Sequence, residues 1–178
     1  MSKYDPSAVE LLSFAKSVPG FLDGSDTPRA YLERCIVTIG AREPEVQAFS
    51  ALNLDGARAA ADAATERYEA GQPLSPVDGM PVAIKDVFDT EDMPTTFNSD
   101  LFRENQTAWD GACPYFFRRG GAVIIGKTVT TEFAFGTPGP TRNPWDTKRT
   151  PGGSSSGSGA AVGASVGAAV GAAGDAAA

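Results

Sequence analysis

The sequence predicts an α/β fold, because segments with helical periodicity alternate with short apolar segments along its 178 residues. Apolar residues make up 42% of the chain and charged residues 21%, so there are enough apolar side chains to bury a core. Glycines and prolines separate the segments, and each element can therefore be assigned in order.

Four helices are predicted before residue 120. Ser7 and Glu10 form a capping-box pattern that starts the first helix, and Pro19 is expected to interrupt it. Pro28 follows a capping threonine and starts the second helix, which Gly40 is expected to end. The predicted helices cover residues 8–16, 28–39, 55–69 and 110–119.

Three strands are predicted between these helices, and the tail of the chain has a different composition. The strands cover residues 46–52, 81–88 and 122–125. Beyond Gly136 a proline-rich loop leads to a serine tract, and residues 160–178 are almost entirely alanine, glycine and valine. Glycines recur there at every fourth position. We expect a core helix whose glycines permit close packing, rather than a membrane span, because alanine is only weakly apolar.

Composition excludes several function classes. The chain has no histidine, which rules out Ser-His-Asp chemistry and histidine-ligated zinc, and we expect neither a metal nor an organic cofactor. Its net charge of -7 argues against nucleic-acid binding. Two cysteines without CxxC spacing and an N-terminus without a secretory pattern predict a cytoplasmic location.

Residues 121–128 match the phosphate-binding pattern GxxxxGK[ST]. That pattern binds phosphate only as a loop between a strand and a helix. Here its four middle residues are Ala, Val, Ile and Ile, which favour a buried strand. We therefore interpret the match as a helix, a glycine turn and a strand, and nucleotide binding is the less favoured alternative.

Lys85 lies within the predicted strand 81–88 and allows two interpretations. On an edge strand, a lysine that points to water protects the sheet from aggregation. A buried lysine instead loses some preference for its charged form, so that the neutral amine can act as a base near pH 7. The residue alone favours the first interpretation.

The tract Gly152-Gly153-Ser154-Ser155-Ser156-Gly157-Ser158 also allows two interpretations. Serine and glycine are typical of flexible linkers. This tract is short, however, and it opens a predicted helix, where hydroxyls and backbone amides can hold an anion or relay a proton.

Four motifs occur together in a characteristic order: Gly79-Met-Pro-Val-Ala-Ile-Lys85-Asp86, Gly126-Lys-Thr-Val-Thr-Thr-Glu-Phe133, Thr141-Arg-Asn-Pro144 and Pro151-Gly-Gly-Ser-Ser-Ser-Gly-Ser158. This arrangement resembles the amidase signature family of Ser-cisSer-Lys amide hydrolases, over about residues 32–170. The resemblance implies a mixed β-sheet covered by helices. It also implies an N-terminal helical segment at 1–25 and the N-terminal part of one amidase signature domain at 26–178.

The resemblance also implies roles for individual residues. Lys85 matches the catalytic lysine, and Ser154 matches the bridging serine that follows a cis peptide bond. Ser155 would support the hydrogen bonds around them. Counting 24 residues onward from Ser154, as in the family, gives Ala178 where the nucleophilic serine is expected.

A second register pairs Gly174 and Asp175 with the family's Gly-x-Asp element and puts the serine immediately after residue 178. Either way, Asp175, Ala176 and Ala177 would lie at the support and oxyanion positions. The alternatives are a fragment of a longer protein, an altered sequence, or a degenerate homologue that acts as an interaction subunit. We favour the fragment.

The expected activity is hydrolysis of a carbon–nitrogen bond in a small linear amide by an acyl-enzyme route. The motif wording resembles the branch that acts on malonamate, allophanate or biuret-like compounds. Arg142 is a candidate for holding a substrate carboxylate, although a role in bracing its loop explains it equally well. A homodimer, or association with the rest of the protein, is expected, without a nucleic-acid or membrane partner. The chain by itself is expected to be inactive.

Overall fold

The computed structural model describes residues 13–164 and 168–170. These residues form one four-stranded sheet with helices packed against it. The helices are α1 Phe14–Asp23, α2 Pro28–Val46, α3 Leu54–Glu69, α4 Ala112–Arg119 and α5 Ser156–Gly163. The strands are β1 Phe49–Leu52, β2 Pro81–Lys85, β3 Val123–Thr128 and β4 Ala168–Val170. The expected α/β fold with a mixed sheet is confirmed.

Strand β2 lies inside the sheet, whose order is β1-β3-β2-β4. It runs parallel to β3 on one side and to β4 on the other, whereas β1 pairs antiparallel with β3. All five residues of β2 are buried. The edge-strand interpretation of Lys85 is therefore wrong.

A β-bulge interrupts the pairing of β2 with β3. Val82 pairs with Ile124, but Ala83 pairs with Gly126, so β3 contains one extra residue at this point. Such an insertion reverses which face of the sheet the following side chains occupy. As a result, Lys127 comes to lie beside Ile84, and Lys85 lies beside Thr128.

Each face of the sheet carries its own apolar cluster. On one face, Ala83 and Val123 pack with residues of α2, α3 and α5, including Leu32, Ala57 and Ala160. The other face has Val82 and Ile84 among the residues packed with Phe117 of α4. Helix α1 joins α2 and α3 through a separate cluster that contains Phe21, Tyr31 and Tyr68.

The first two helices extend through residues that were expected to stop them. Helix α1 continues past Pro19 and ends at Gly24, whose φ of 77° is left-handed. Proline removes one backbone hydrogen bond from the helix, and the rings of Phe14 and Phe21 in this helix pack against Tyr31 and Tyr68. Helix α2 begins as predicted, with the Thr27 hydroxyl accepting from the Ala30 amide, but it continues past Gly40 to Val46. Burial of Ile39 and Val46 outweighs the cost of about 1 kcal/mol for a helical glycine.

The predicted core helix of the tail is confirmed as far as Gly163 and is wrong at residues 168–170. Helix α5 ends at Gly163 rather than continuing to residue 178, and Ala168–Val170 is the strand that pairs with Val82, Ala83 and Ile84 of β2. Pairing with an open strand edge satisfies backbone groups in a way that helix propensity alone does not anticipate. The capping box at Ser7 and Glu10 lies outside the described residues.

The remaining elements agree with the sequence apart from their ends. Strands β1 and β2 are shorter than predicted, and β3 is longer, since it includes Gly126, Lys127 and Thr128. Helix α4 is capped by Gly111 rather than by the expected Asp110. Within the described residues, no helix is both long enough and apolar enough to cross a membrane.

Candidate active site

Lys85 is the last residue of β2 and lies where the parallel strands present their carboxyl ends. Open α/β sheets bind ligands at this end of their parallel strands. The residue is only 3% exposed, so its amine is held inside the protein.

The Lys85 amine contacts two serine hydroxyls. Its Nζ lies 2.9 Å from the Oγ of Ser154 and 2.9 Å from the Oγ of Ser155, both of which precede α5. The structure therefore brings together three of the residues selected from the sequence, although about 70 positions separate the lysine from the serines.

Residues 128–131, which are the last residue of β3 and the three that follow it, hold the serine tract in place. The Ser154 carbonyl accepts from the Thr130 hydroxyl at 3.0 Å and from the Thr131 amide at 3.2 Å. The hydroxyls of Thr128 and Ser158 are hydrogen-bonded to each other at 2.8 Å, and the Gly157 amide donates to the Val129 carbonyl at 2.9 Å. Sequence reasoning did not assign roles to these threonines, although they lie within a motif that it singled out.

The chain turns into the serine tract through two glycines. Gly152 has a φ of 84° and Gly153 a φ of 49°, values in the left-handed region that glycine adopts without steric cost. Every peptide bond among the described residues is trans, so the cis bond expected before Ser154 is not found. A trans bond is the lower-energy form for a residue other than proline, and the two glycines already supply the turn.

A second buried lysine lies on the opposite face of the sheet. The Lys127 amine is fully buried and lies 3.2 Å from a carboxylate oxygen of Asp86, which also accepts from the backbone and hydroxyl of Thr96. Lys127 further donates to the Pro94 carbonyl and the Thr95 hydroxyl. Burial lowers the pKa of Lys127, and the charge of Asp86 opposes that shift.

These contacts show that the residues matching GxxxxGK[ST] do not form a phosphate-binding loop. Residues 123–128 form strand β3, and the lysine of the pattern is committed to an ion pair inside the protein. A phosphate-binding loop needs open backbone amides before a helix. The less favoured interpretation of this segment, nucleotide binding, is therefore wrong.

A pocket of about 300 Å³ opens beside Ser154. The loop after β3 forms one wall and the loop before α5 forms the other. Its lining residues are Thr131, Phe135, Gly136, Pro138, Gly139, Thr141, Thr150, Pro151, Gly152, Gly153, Ser154 and Ser156.

The other residues selected from the sequence do not join this group within the described part of the chain. Arg142 has an exposed side chain, is not among the residues that line the pocket, and donates its backbone amide to the Val46 carbonyl. Asp175, Ala176, Ala177 and Ala178 lie outside the described residues. Across residues 13–164 and 168–170, no group of three or more acidic or cysteine side chains could hold a metal ion.

The arrangement suits proton transfer between an amine and hydroxyl groups. A lysine amine within hydrogen-bond distance of a serine hydroxyl can take a proton from it, once the amine is uncharged. The second hydroxyl, from Ser155, fixes the direction of the amine. A hydroxyl can donate and accept at once, so Ser154 can pass a proton onward from another group.

Comparison with known proteins identifies the family of this chain. The family model described as Amidase matches residues 30–177. The chain is 44% identical over 140 residues to a glutamyl-tRNA(Gln) amidotransferase subunit of Acidothermus cellulolyticus, a match that covers 75% of this chain and 27% of that protein. The chain thus spans less than a third of the length of the curated relatives that it matches.

Solved structures agree in fold. A chain from a vestigial protein complex, studied for the evolutionary origins of an s-triazine catabolic enzyme, aligns with a TM-score of 0.82 at 36% identity, covering 88% of this chain and 36% of that one. The peptide amidase of Stenotrophomonas maltophilia aligns with a TM-score of 0.80 at 27% identity, covering 86% of this chain and 34% of that one. Family model, relatives and fold agree, and the chain belongs to the amidase signature family.

Proposed function

We propose that the protein hydrolyses the carbon–nitrogen bond of an amide through an acyl-enzyme, with Lys85 as the base and Ser154 as the bridge. The observation that carries the proposal is the buried Lys85 amine, 2.9 Å from the hydroxyls of Ser154 and Ser155. Membership of the amidase signature family supports the reaction class.

The contacts of Lys85 with Ser154 and Ser155 support the following proton path. The proposed nucleophile is a serine hydroxyl immediately after residue 178, where the second register, which aligns Gly174 and Asp175 with the family's Gly-x-Asp element, puts it. Its proton passes to Ser154 while Ser154 passes its own proton to the neutral Lys85 amine. The serine oxygen bonds to the carbonyl carbon, and backbone amides near residues 174–178 stabilise the oxyanion.

The second half of the reaction returns the proton. The carbon–nitrogen bond breaks, and the leaving amine takes the proton from Lys85 through Ser154. Water then attacks the acyl-serine ester, and its proton passes through Ser154 to Lys85. As the ester carbon–oxygen bond breaks, that proton returns through Ser154 to the serine oxygen, and the carboxylic acid product leaves. Every proton that Lys85 accepts is therefore released within one turnover.

A small amide is the proposed substrate, and transfer of the released ammonia is the second candidate function. Several relatives are named as subunits of a glutamyl-tRNA(Gln) amidotransferase, in which a partner subunit is implied by the name. A free amidase would release ammonia without any acceptor, whereas an amidotransferase subunit would be stimulated by its partner and glutamyl-tRNA. Assays with and without those two components distinguish the candidates.

Replacement of Lys85 tests the base. We expect Lys85→Met in the full-length protein to reduce kcat for ammonia release by at least a thousandfold, because methionine keeps the buried volume but cannot accept a proton. Ser154→Ala should also lose several orders of magnitude, since it interrupts the bridge. Activity is measured as ammonia released from a small primary amide.

Lys148→Met is the matched control, because Lys148 is an exposed lysine on the loop before the serine tract. It should hydrolyse the amide at the parental rate. If Lys85→Met keeps its kcat within tenfold of the parent while remaining folded, the base is another group. Unchanged turnover by Ser154→Ala would remove the bridge from the mechanism.

A further inference from the structure

The pocket beside Ser154 carries no charge in the part that the structure describes. Its lining consists of glycines, prolines, one phenylalanine, three threonines and two serines, and none of these side chains ionises near neutral pH. A volume of about 300 Å³ is at the small end of the range for ligand pockets. A charged ligand group in contact with this lining meets no side chain of opposite charge, so the lining offers it no ion pair, whereas an uncharged amide can use its hydroxyl and backbone groups.

One lining residue has an unused hydrogen-bonding group. Thr131 is 8% exposed, and its hydroxyl oxygen is buried without a hydrogen-bond partner. The residue precedes a short 3₁₀ turn, yet its hydroxyl makes no capping bond there. Buried hydroxyls normally find a partner, and an unpaired one therefore points to a function.

The backbone holds Thr131 next to the proposed bridge. Its amide donates to the Ser154 carbonyl at 3.2 Å, so the two residues keep a fixed separation. Rotation about χ1 exchanges the methyl and hydroxyl groups of a threonine, and both positions of the hydroxyl are commonly occupied. Because the hydroxyl oxygen is itself buried, pairing with a ligand in the pocket requires this rotation, but it requires no backbone movement.

We propose that this pocket binds the uncharged end of a small carboxamide, and that Thr131 is a positioning residue whose hydroxyl bonds to that amide. The proposal rests on the proposed amide hydrolysis and narrows its substrates to neutral amides. Anionic substrates of the malonamate type, with a carboxylate held by Arg142, are disfavoured, because Arg142 does not line the pocket.

Binding of propionamide to the full-length protein tests the proposal. The dissociation constant is measured by saturation-transfer NMR, and ammonia release is followed in the same samples. Propionate, which has nearly the same shape but a negative charge, should bind at least tenfold more weakly. Thr131→Val should weaken propionamide binding about tenfold, whereas Thr131→Ser, which keeps the hydroxyl, should bind within twofold of the parent.

Thermal unfolding separates this role from a structural one. Thr131→Val removes a hydroxyl that has no partner, so its Tm should equal or exceed that of the parent while binding weakens. Thr137→Val, at an exposed threonine outside the pocket, should change neither quantity.

The possible results separate the two proposals. Propionate binding as tight as propionamide, no binding of propionamide, or unchanged binding by Thr131→Val would each overturn the neutral-amide pocket. Binding that depends on Thr131 without any ammonia release would uphold the pocket and reject the proposed hydrolysis. Ammonia release that is insensitive to Thr131→Val would do the opposite.

Discussion

Lys85 and Lys127 are buried lysines on neighbouring strands, and different groups surround their amines. Lys127 is paired with the Asp86 carboxylate, and its neighbours satisfy it as an ion. Lys85 lies against two serine hydroxyls at the carboxyl end of the parallel strands. The groups around each amine therefore distinguish the lysine of the ion pair from the proposed base, which burial alone does not.

Lys127→Met should destabilise the fold strongly. Removal of one partner from a buried ion pair leaves the other charge uncompensated, which costs about 3–5 kcal/mol. Asp86 and Lys127 are both fully buried, so water cannot take the place of the lost amine. Urea unfolding, followed by circular dichroism, measures the change in the free energy of unfolding.

The double variant Lys127→Met/Asp86→Asn is the control for this experiment. Once the carboxylate is also neutral, no unpaired charge remains, and the double variant should be more stable than Lys127→Met alone. Destabilisation equal to the sum of the two single changes would mean that the pair is not coupled.

Sequence reasoning found Lys85, Ser154 and Ser155 because they lie in motifs that belong together. It did not find the Lys127–Asp86 pair, and it did not select Thr131. The pair depends on which face of the sheet Lys127 occupies, and the bulge in β3 changes that face. Thr131 lies in the loop after β3 and is distinguished only by the missing partner of its hydroxyl, which the sequence does not show. The sequence Val-Ile-Ile-Gly-Lys-Thr of β3 contains no local pattern that predicts the position of the bulge.

At the level of elements, the position of α5 fixes the candidate site. Gly157 lies in the first turn of α5, against the backbone of Ala48 and Val129. Its lack of a side chain lets the helix approach the end of β3, and Ser154 and Ser155 are thereby brought to Lys85. The close approach was expected from the glycines spaced four apart in the tail; it is made instead by Gly157, whereas a Cβ at Gly159 would meet no atom within 4 Å.

Gly157→Ala should therefore destabilise the protein, whereas Gly159→Ala should not. A Cβ at Gly157 would overlap backbone atoms of Ala48 and Val129, and such overpacking costs about 1–3 kcal/mol. A Cβ at Gly159 meets no atom within 4 Å, and alanine there should stabilise the helix by about 0.5–1 kcal/mol. Urea unfolding of the two variants measures the difference.

Amide hydrolysis gives a second readout of the same pair. Gly157→Ala should lower ammonia release by the full-length protein, since α5 must shift away from Lys85, and Gly159→Ala should leave it unchanged. Equal stability of the two variants would show that α5 does not need its close approach to β3.

The order of elements was predictable, while several of their ends were not. Periodicity identified α2, α3 and β2, because each has a clear apolar pattern. It failed at Pro19, Gly40 and the tail, where contacts with distant residues override local preference. Strand β4 forms by pairing with β2, and a run of alanine and valine carries no sign of that partner.

At the level of the whole molecule, the described sheet has β1 and β4 at its two ends. The chain spans 27–30% of two of its curated relatives and 34–36% of the solved structures compared with it. The homodimer, the cytoplasmic location and a boundary at residue 25 between an N-terminal helical segment and the amidase signature domain stay predictions. Helix α1, which lies before that boundary, packs against α2 and α3, which lie after it.

The 178-residue chain by itself should release no ammonia from propionamide. Position 178, where the family spacing expects the nucleophile, is alanine, and no acyl-enzyme can form without that hydroxyl. The purified chain is incubated with the amide beside the full-length protein as the positive control. Ammonia release by the short chain at a comparable rate would assign the nucleophile to another residue.

The bulge in β3 keeps the Lys85 and Lys127 amines on opposite faces of the sheet. If the same residues of β3 paired without the bulge, strict alternation would turn the Lys127 side chain toward the serines and away from Asp86. The Lys127 amine would then compete with the Lys85 amine for the same serine hydroxyls, and the proposed bridge from Ser154 to its base would be disturbed. The bulge in β3 therefore keeps the structural Lys127–Asp86 ion pair apart from the proposed base and its serines.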